Sequence, residues 1–145
     1  MTAVELVLAR IPREEGRMFF PYDDATGQRV RAPKGKITWG DGFNLEECGS
    51  SALFEIMDRY LLGQEEIPLL KLPWYVALDP VRQSVCLDIA YNGGEQGFLL
   101  GFPHMIAALA RQDWPTAATE CHVEDPKLAA RYAALAQLLL IGGVT

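Results

Sequence analysis

The segment from residue 19 to residue 45 constrains the fold more than any other part of the sequence. Turn-forming residues recur within it in three groups, at 23–27, 33–35 and 40–42. Clusters of Asp, Gly, Pro and Thr of this kind interrupt helices and long strands, so only short β-favouring pieces such as Val30 and 37–39 fit between them. The segment therefore predicts a small antiparallel ribbon with one extended loop.

Helical patterns flank this segment on both sides. Thr2 and Glu5 form a capping box, and the apolar spacing after it predicts a first helix that runs toward Arg13 or Glu14. After Ser50 the pattern is again helical, with interruptions expected at a glycine and a proline, residues 63 and 68. Glycines at 93, 94 and 97 predict a loop after the central helix. Further helix starts are predicted where an aspartate can cap the first turn, at Asp79, Asp113 and Asp125.

These patterns predict an α+β fold in a single domain spanning residues 1–145. We expect a small lobe with the ribbon over about 1–62, an interlobe segment over about 63–76, and a mainly helical lobe over about 77–145. A chain of this length buries roughly two thirds of its unfolded surface, so it folds without disulfides or metal.

The charge of the chain argues against nucleic acid as a partner. The formal net charge is −6 at pH 7, which repels polyanions. Four basic residues lie within 29–36; they form either a solvated hairpin or a contact for an anionic substrate. The three cysteines lack metal or redox spacing, and the two histidines are isolated, so we expect reduced thiols, no metal and no cofactor.

Two further expectations concern location and assembly. The longest apolar run is far short of the roughly 20 residues that span a bilayer, so no stable membrane insertion is expected. The N-terminal residues lack the basic lead-in of a secretory signal, which predicts synthesis in the cytoplasm. We expect a monomer.

Two carboxyl groups are the candidate catalytic residues. Glu15 lies where the first helix meets the ribbon segment, close to the apolar residues 18–20. Because burial against apolar surface favours the protonated form of a carboxyl group, this environment suits a general acid. Asp24 lies in a turn and is the expected charged partner. Two carboxyl groups in contrasting environments are the arrangement used in glycoside hydrolysis.

The same residues carry a resemblance to a known family. Glu15-Gly16, the turn at 22–27 and the segment 35–45 are similar to the catalytic segment of the phage-type lysozymes (muramidases, endolysins) of glycoside hydrolase family 24. In that family an aspartate follows the glutamate by nine positions, as Asp24 does here, and a Thr-Ile-Gly-x-Gly strand and turn comes next, where Thr38 occupies the threonine position. Further motifs resemble the central and closing helices of the family, at 72–74, 78–83, 88–94, 101–102, 113–118 and 131–142.

The resemblance implies a lysozyme-like fold with a substrate cleft between the two lobes. It implies hydrolysis of the β-1,4 bond between N-acetylmuramic acid and N-acetylglucosamine in peptidoglycan. Glu15 would act as general acid on the leaving oxygen, and Asp24 and Thr38 would position the attacking water. Inversion is implied, which predicts carboxyl groups about 6.5–9.5 Å apart.

Three more residues match cleft positions of the family: Asn44 on the ribbon side, and Tyr91 and Asn92 on the central helix. The implied partner is the peptidoglycan glycan strand, and the implied bacteriolytic action takes place at the cell wall, in the periplasm, after release or delivery. Alternatives are a lytic transglycosylase, a non-catalytic wall-binding relative, and an enzyme with chitin as its main substrate. Trp39 and Phe43 depart from the family pattern beside Thr38.

Overall fold

A computed structural model describes residues 1–47 and 49–143 of the chain. Over these residues the protein is mostly helical with one two-stranded antiparallel sheet, which is compatible with the predicted α+β class. The helices are α1 (Ala3–Leu8), α2 (Ile11–Glu14), α3 (Ser51–Leu69), α4 (Pro73–Val76), α5 (Pro80–Gly101), α6 (Pro103–Ala110), α7 (Trp114–Glu120) and α8 (Ala129–Ile141). The strands are β1 (Thr38–Trp39) and β2 (Phe43–Asn44).

The capping box at the start of the chain is confirmed, but the first helix is shorter than predicted. The Thr2 hydroxyl accepts a hydrogen bond from the Glu5 backbone N–H, and the Glu5 carboxylate accepts one from the Thr2 N–H at 2.8 Å. The predicted single helix is divided, because α1 ends at Leu8 and α2 begins at Ile11. The ring of Pro12 would clash with the carbonyl of Leu8 in a continuous helix, so the chain turns before it.

The predicted ribbon is present in the structure. Strands β1 and β2 pair antiparallel, with Thr38 opposite Asn44, across the turn at 40–42. A separate antiparallel bridge joins Tyr22 to Arg29 around the turn at 23–27. The turn residues therefore divide the segment into two short hairpins.

The long helices depart from the sequence prediction in two places. Helix α3 continues through Gly63 and Pro68, where we expected interruptions. Pro68 cannot donate a backbone hydrogen bond to the carbonyl of residue 64, but it lies one residue before the end of the helix. In α5 the predicted interruption is present but confined to one residue. Gly94 (φ 73°) adopts a conformation that glycine tolerates and divides α5 into two helical segments at a kink, and the residues after it are helical rather than a loop.

Aspartate caps are confirmed at two of the three predicted positions. Asp79 accepts hydrogen bonds from the first backbone amides of α5, and Asp113 does the same for α7. Asp125 is not the cap of the last helix. Its carboxylate accepts a bond from the Lys127 N–H at 2.9 Å within a turn, and α8 begins only at Ala129.

The apolar core lies among the helices and not under the ribbon. In the part of the chain that the structure describes, every buried residue belongs to 1–11 or 62–143, and none between 12 and 61 is buried. Helix α1 packs against α3 and α5, and α7 packs against α6 and α8. An apolar cavity of about 310 Å³ lies instead between the ribbon segment and α3. The side chains of the ribbon segment are therefore more accessible than those of the helical core.

The predicted division into lobes remains a prediction, and α3 crosses the expected boundary at residue 62 without a break. Within the described part of the chain, no helix combines the length and hydrophobicity needed to cross a bilayer.

Candidate active site

Glu15 is positioned by the end of α2. Its backbone N–H donates to the Ile11 carbonyl at 2.9 Å, which completes the last turn. Gly16 follows in the left-handed conformation (φ 69°), so the chain reverses directly after Glu15. The side chain of Glu15 is 43% exposed, and its Oε1 accepts a hydrogen bond from Arg131 Nη1 at 2.5 Å. Its environment is therefore more open and more polar than the sequence predicts.

A cavity of about 210 Å³ lies beside Glu15. Tyr91 of α5 and Tyr22 of the first hairpin line it together with apolar side chains of α3. Burial raises the pKa of the Tyr91 phenol, and the nearby charges of Asp58 and Glu15 raise it further. The phenol therefore stays protonated and can donate a hydrogen bond to a ligand in this cavity.

Asp58 lines the same cavity, although the sequence analysis did not single it out. Its carboxylate lies 3.6 Å from Arg17 Nη2 and is 19% exposed. Burial raises the pKa of Asp58, while the charge of Arg17 opposes the shift. The cavity thus contains two carboxyl groups, Glu15 and Asp58, from different elements.

Arg131 of α8 holds Glu15 from the other side. Its Nη2 donates to Asp88 Oδ1 at 2.6 Å, and its Nη1 also reaches Asn92 Oδ1 at 3.4 Å. Asp88 is only 1% exposed and accepts a second bond from Arg10 Nη2 at 3.0 Å. Burial acts to lower the pKa of Arg131, but its bonds to Asp88 and Glu15 outweigh this and raise it. A charged guanidinium therefore fixes one oxygen of Glu15.

Two of the predicted cleft residues belong to this arrangement. Tyr91 lines the cavity beside Glu15. Asn92 donates from Nδ2 to the Asp88 carbonyl at 2.8 Å and contacts Arg131 with its Oδ1. Asn92 therefore supports the guanidinium that holds the catalytic candidate, while Tyr91 is the residue that can touch a ligand.

The other predicted site residues lie elsewhere. Asp24 is exposed in the turn at 23–27, and Thr38 is exposed in β1. Neither lines the cavity beside Glu15, and within residues 1–47 and 49–143 neither side chain makes a hydrogen bond or ion pair. Asn44 accepts a hydrogen bond from the Glu46 N–H at 3.1 Å, a local contact that stabilises the loop. The structure therefore brings Glu15 together with Tyr91 and Asn92, and does not bring it into a common cavity with Asp24 or Thr38.

The basic cluster at 29–36 is partly used within the ribbon. The Arg29 guanidinium donates to the Glu46 carbonyl at 3.2 Å and lies 4.9 Å from the centre of the Phe20 ring. Lys36 pairs with Glu47. The other two basic side chains of the cluster are exposed. They are the ones available to an anionic ligand.

One sequence signal could have identified the buried network beneath Glu15. Asp88 is the single charged residue in the run 83–91, which otherwise reads as a buried helix. A buried charge is costly unless it is paired, so an aspartate at this position requires cationic partners from distant parts of the chain. The sequence does not say which ones, and the structure identifies Arg10 and Arg131.

No known protein family matches the chain by its family model, and comparisons with curated proteins and with solved structures also find no match.

Proposed function

We propose that the protein is a peptidoglycan hydrolase of the lysozyme type, with a substrate cleft between the ribbon and the helical core. The single observation that carries the proposal is the state of Glu15. This carboxylate is accessible, lies at the edge of a cavity of about 210 Å³ and is held by a buried ion network. A fixed, accessible carboxyl group beside an open cavity is what a general acid requires.

The geometry also supports a choice between the two oxygens of Glu15. Oε1 accepts the hydrogen bond from Arg131, while Oε2 makes no hydrogen bond within the described residues. Oε2 is therefore the atom that holds the proton and donates it to the glycosidic oxygen. Arg131 stabilises the carboxylate that remains after the proton has left.

Asp24 and Thr38 complete the proposed mechanism as the groups that position the attacking water. Both are exposed on the hairpins that follow Glu15 in the chain, so a bound saccharide can reach them. Two exposed aromatic side chains, Trp39 and Phe43, are paired across β1 and β2. Exposed apolar surface of this kind marks binding grooves, and it suits the apolar faces of pyranose rings.

A lytic transglycosylase is the second candidate. Such an enzyme needs one catalytic glutamate and no second carboxylate that positions water. One observation favours it: neither Asp24 nor Thr38 lines the cavity beside Glu15. The two candidates differ in their products, because hydrolysis leaves a reducing end and the transglycosylase reaction leaves an anhydro-muramic end.

The test is digestion of purified peptidoglycan, with the soluble products analysed by mass spectrometry. The proteins compared are the wild type, Glu15→Gln, Thr38→Val and Glu124→Gln. Glu124 provides the matched control, because it is exposed and makes no hydrogen bond or ion pair in the described part of the chain. We expect reducing-end fragments from the wild type and the control, none from Glu15→Gln, and a loss of about 10²-fold or more in Thr38→Val if that residue places the water.

Each of the other outcomes has a definite meaning. Anhydro products that disappear in Glu15→Gln would assign the chain to the transglycosylases. Binding to peptidoglycan without products from any variant would favour a non-catalytic wall-binding protein. Reducing-end products from Glu15→Gln at the wild-type rate would refute the role of Glu15.

A further inference from the structure

The network beneath Glu15 contains more acidic than basic groups. Three carboxyl groups, Glu14, Glu15 and Asp88, surround two guanidinium groups, Arg10 and Arg131. These charges come from the α2 region, α5 and α8, and Arg10 lies between α1 and α2. If all five groups were ionised, the network would carry one negative charge in excess, and four of its five side chains are less than 20% exposed.

Among the residues that the structure describes, Glu14 is the member of the network whose side chain makes no hydrogen bond. Its Oε2 is buried without a partner there, although it lies 3.3 Å from Arg131 Nη2. Its Oε1 is 3.7 Å from Arg10 Nε, which is beyond hydrogen-bonding distance. Both guanidinium groups instead donate to Asp88, at 2.6 Å from Arg131 Nη2 and 3.0 Å from Arg10 Nη2. A buried carboxylate oxygen without a donor is rare in folded proteins.

We propose that the protonated form of Glu14 is the one that fits this network: it donates a hydrogen bond from Oε2 to the carboxylate of Asp88, and as a neutral group it leaves Arg131 free to hold Glu15. The proton allows the buried Oε2 of Glu14 to donate a hydrogen bond, and the cluster then contains two positive and two negative charges. The statement about Glu15 rests on the proposed function, whereas the protonation of Glu14 does not. Glu14 is thus a positioning residue that acts through Arg131.

The electrostatics of the site support this assignment. Burial raises the pKa of Glu14 above its ordinary value of 4.5, and the charge of Asp88 raises it further, while Arg131 and Arg10 act in the opposite direction. Hydrogen bonding to the Asp88 side chain acts to raise the pKa of Glu14 as well. When Glu14 loses its proton at higher pH, a third carboxylate competes for two guanidinium groups, and Arg131 is drawn away from Glu15.

This arrangement has a defined effect on stability. A glutamate whose pKa is higher in the folded state binds more protons when folded than when unfolded. The free energy of unfolding therefore falls as pH rises from about 4.5 through the folded pKa of Glu14. Glu14→Gln keeps a hydrogen-bond donor at this position but cannot ionise. The fall in stability that is due to Glu14 should be absent in this variant.

The experiment that tests the proposal is a pH titration of the glutamate carboxyl carbons by NMR, in the wild type, Glu14→Gln and Glu124→Gln. The two variants assign the Glu14 and Glu124 signals by their disappearance. We expect the Glu14 signal to titrate with a midpoint above 4.5. We also expect the Glu15 signal of the wild type to shift a second time at that midpoint, and this second shift to be lost in Glu14→Gln and kept in Glu124→Gln.

The outcomes separate this proposal from the proposed function. A Glu14 midpoint at or below 4.5 overturns it, whether or not the protein cleaves peptidoglycan. A raised midpoint without a second shift of Glu15 overturns the positioning role and leaves only a structural one. If the wild type has no activity but both NMR results appear, the proposed function fails and the inference about the network holds. Urea unfolding from pH 4 to pH 8 checks the effect on stability: equal pH dependence in the wild type and Glu14→Gln would contradict it.

Discussion

Replacing Arg131 by methionine tests the ion network most directly. Methionine has a similar length and retains the packing of the aliphatic part of the side chain, so the substitution removes mainly the charge and its hydrogen bonds. Arg131 is 13% exposed and bonds Asp88, which is 1% exposed, at 2.6 Å. Removing one partner of a buried ion pair leaves the other charge uncompensated, and this typically costs about 3–5 kcal/mol.

The remaining contacts reduce this cost to the lower part of the range. Asp88 keeps two hydrogen bonds from Arg10, at 3.0 and 3.3 Å. Glu15 is 43% exposed, and the loss of an exposed ion pair costs only about 0–1 kcal/mol. We therefore expect Arg131→Met to lower the free energy of unfolding by about 3 kcal/mol. In a chain of this size that corresponds to a decrease in Tm of roughly 6–12 °C.

Urea unfolding at pH 7 measures this effect in four proteins that form a double-mutant cycle: the wild type, Arg131→Met, Asp88→Asn and the double variant. Because the double variant removes both charges, it should be more stable than the sum of the single losses predicts, by about 2 kcal/mol. Arg59→Met is the matched control, since Arg59 is 53% exposed and pairs with Glu55 at 3.7 Å; it should cost about 0.5 kcal/mol or less. A loss below about 1 kcal/mol in Arg131→Met, or no coupling in the cycle, would refute the reasoning.

Two further predictions concern other parts of the fold. Gly142 has a φ of 62°, and a Cβ there would overlap the Arg82 guanidinium, so Gly142→Ala should lower the free energy of unfolding by about 2 kcal/mol or more. Gly97 lies in a helix with open space around it, so Gly97→Ala should raise the free energy of unfolding by up to about 1 kcal/mol. Equal effects of the two substitutions in urea unfolding would contradict the argument. Burial raises the pKa of the Cys86 thiol, and raises that of Cys121 to about 12. Both should resist iodoacetamide at pH 8 in the folded protein and react in urea, and rapid labelling of either site without urea, read by peptide mass spectrometry, would show that the thiol is not buried as described.

Local hydrogen-bonding patterns explain where the sequence prediction succeeded. The capping box at Thr2 and the aspartate caps at Asp79 and Asp113 each depend on groups two or three residues apart. The turn-rich ribbon is equally local, because its glycines and prolines restrict the backbone wherever they occur. Such features form in nearly the same way in any fold that contains them.

Helix α3 shows why local rules failed elsewhere. Gly63 and Pro68 predicted interruptions, since a glycine inside a helix costs about 1 kcal/mol relative to alanine. The helix nevertheless continues, and the leucines at 62 and 69 on either side are fully buried. A glycine and a proline inside a helix together cost about 4 kcal/mol relative to alanine, whereas burying the two leucine side chains contributes about 3–6 kcal/mol, so packing against the core offsets the local penalty.

In the candidate site, too, the local features could be predicted from the sequence and the long-range contacts could not. The sequence by itself determined that Glu15 ends a helix before a turn-rich ribbon, because the signals for both lie within a few residues of it. Only the tertiary structure decided what surrounds it, since Arg131 is 116 residues away along the chain and Asp88 and Arg10 are separated by 78. The pairing of buried charges depends on which helices pack together, and that is set by the burial of the whole apolar core rather than by any local pattern of residues.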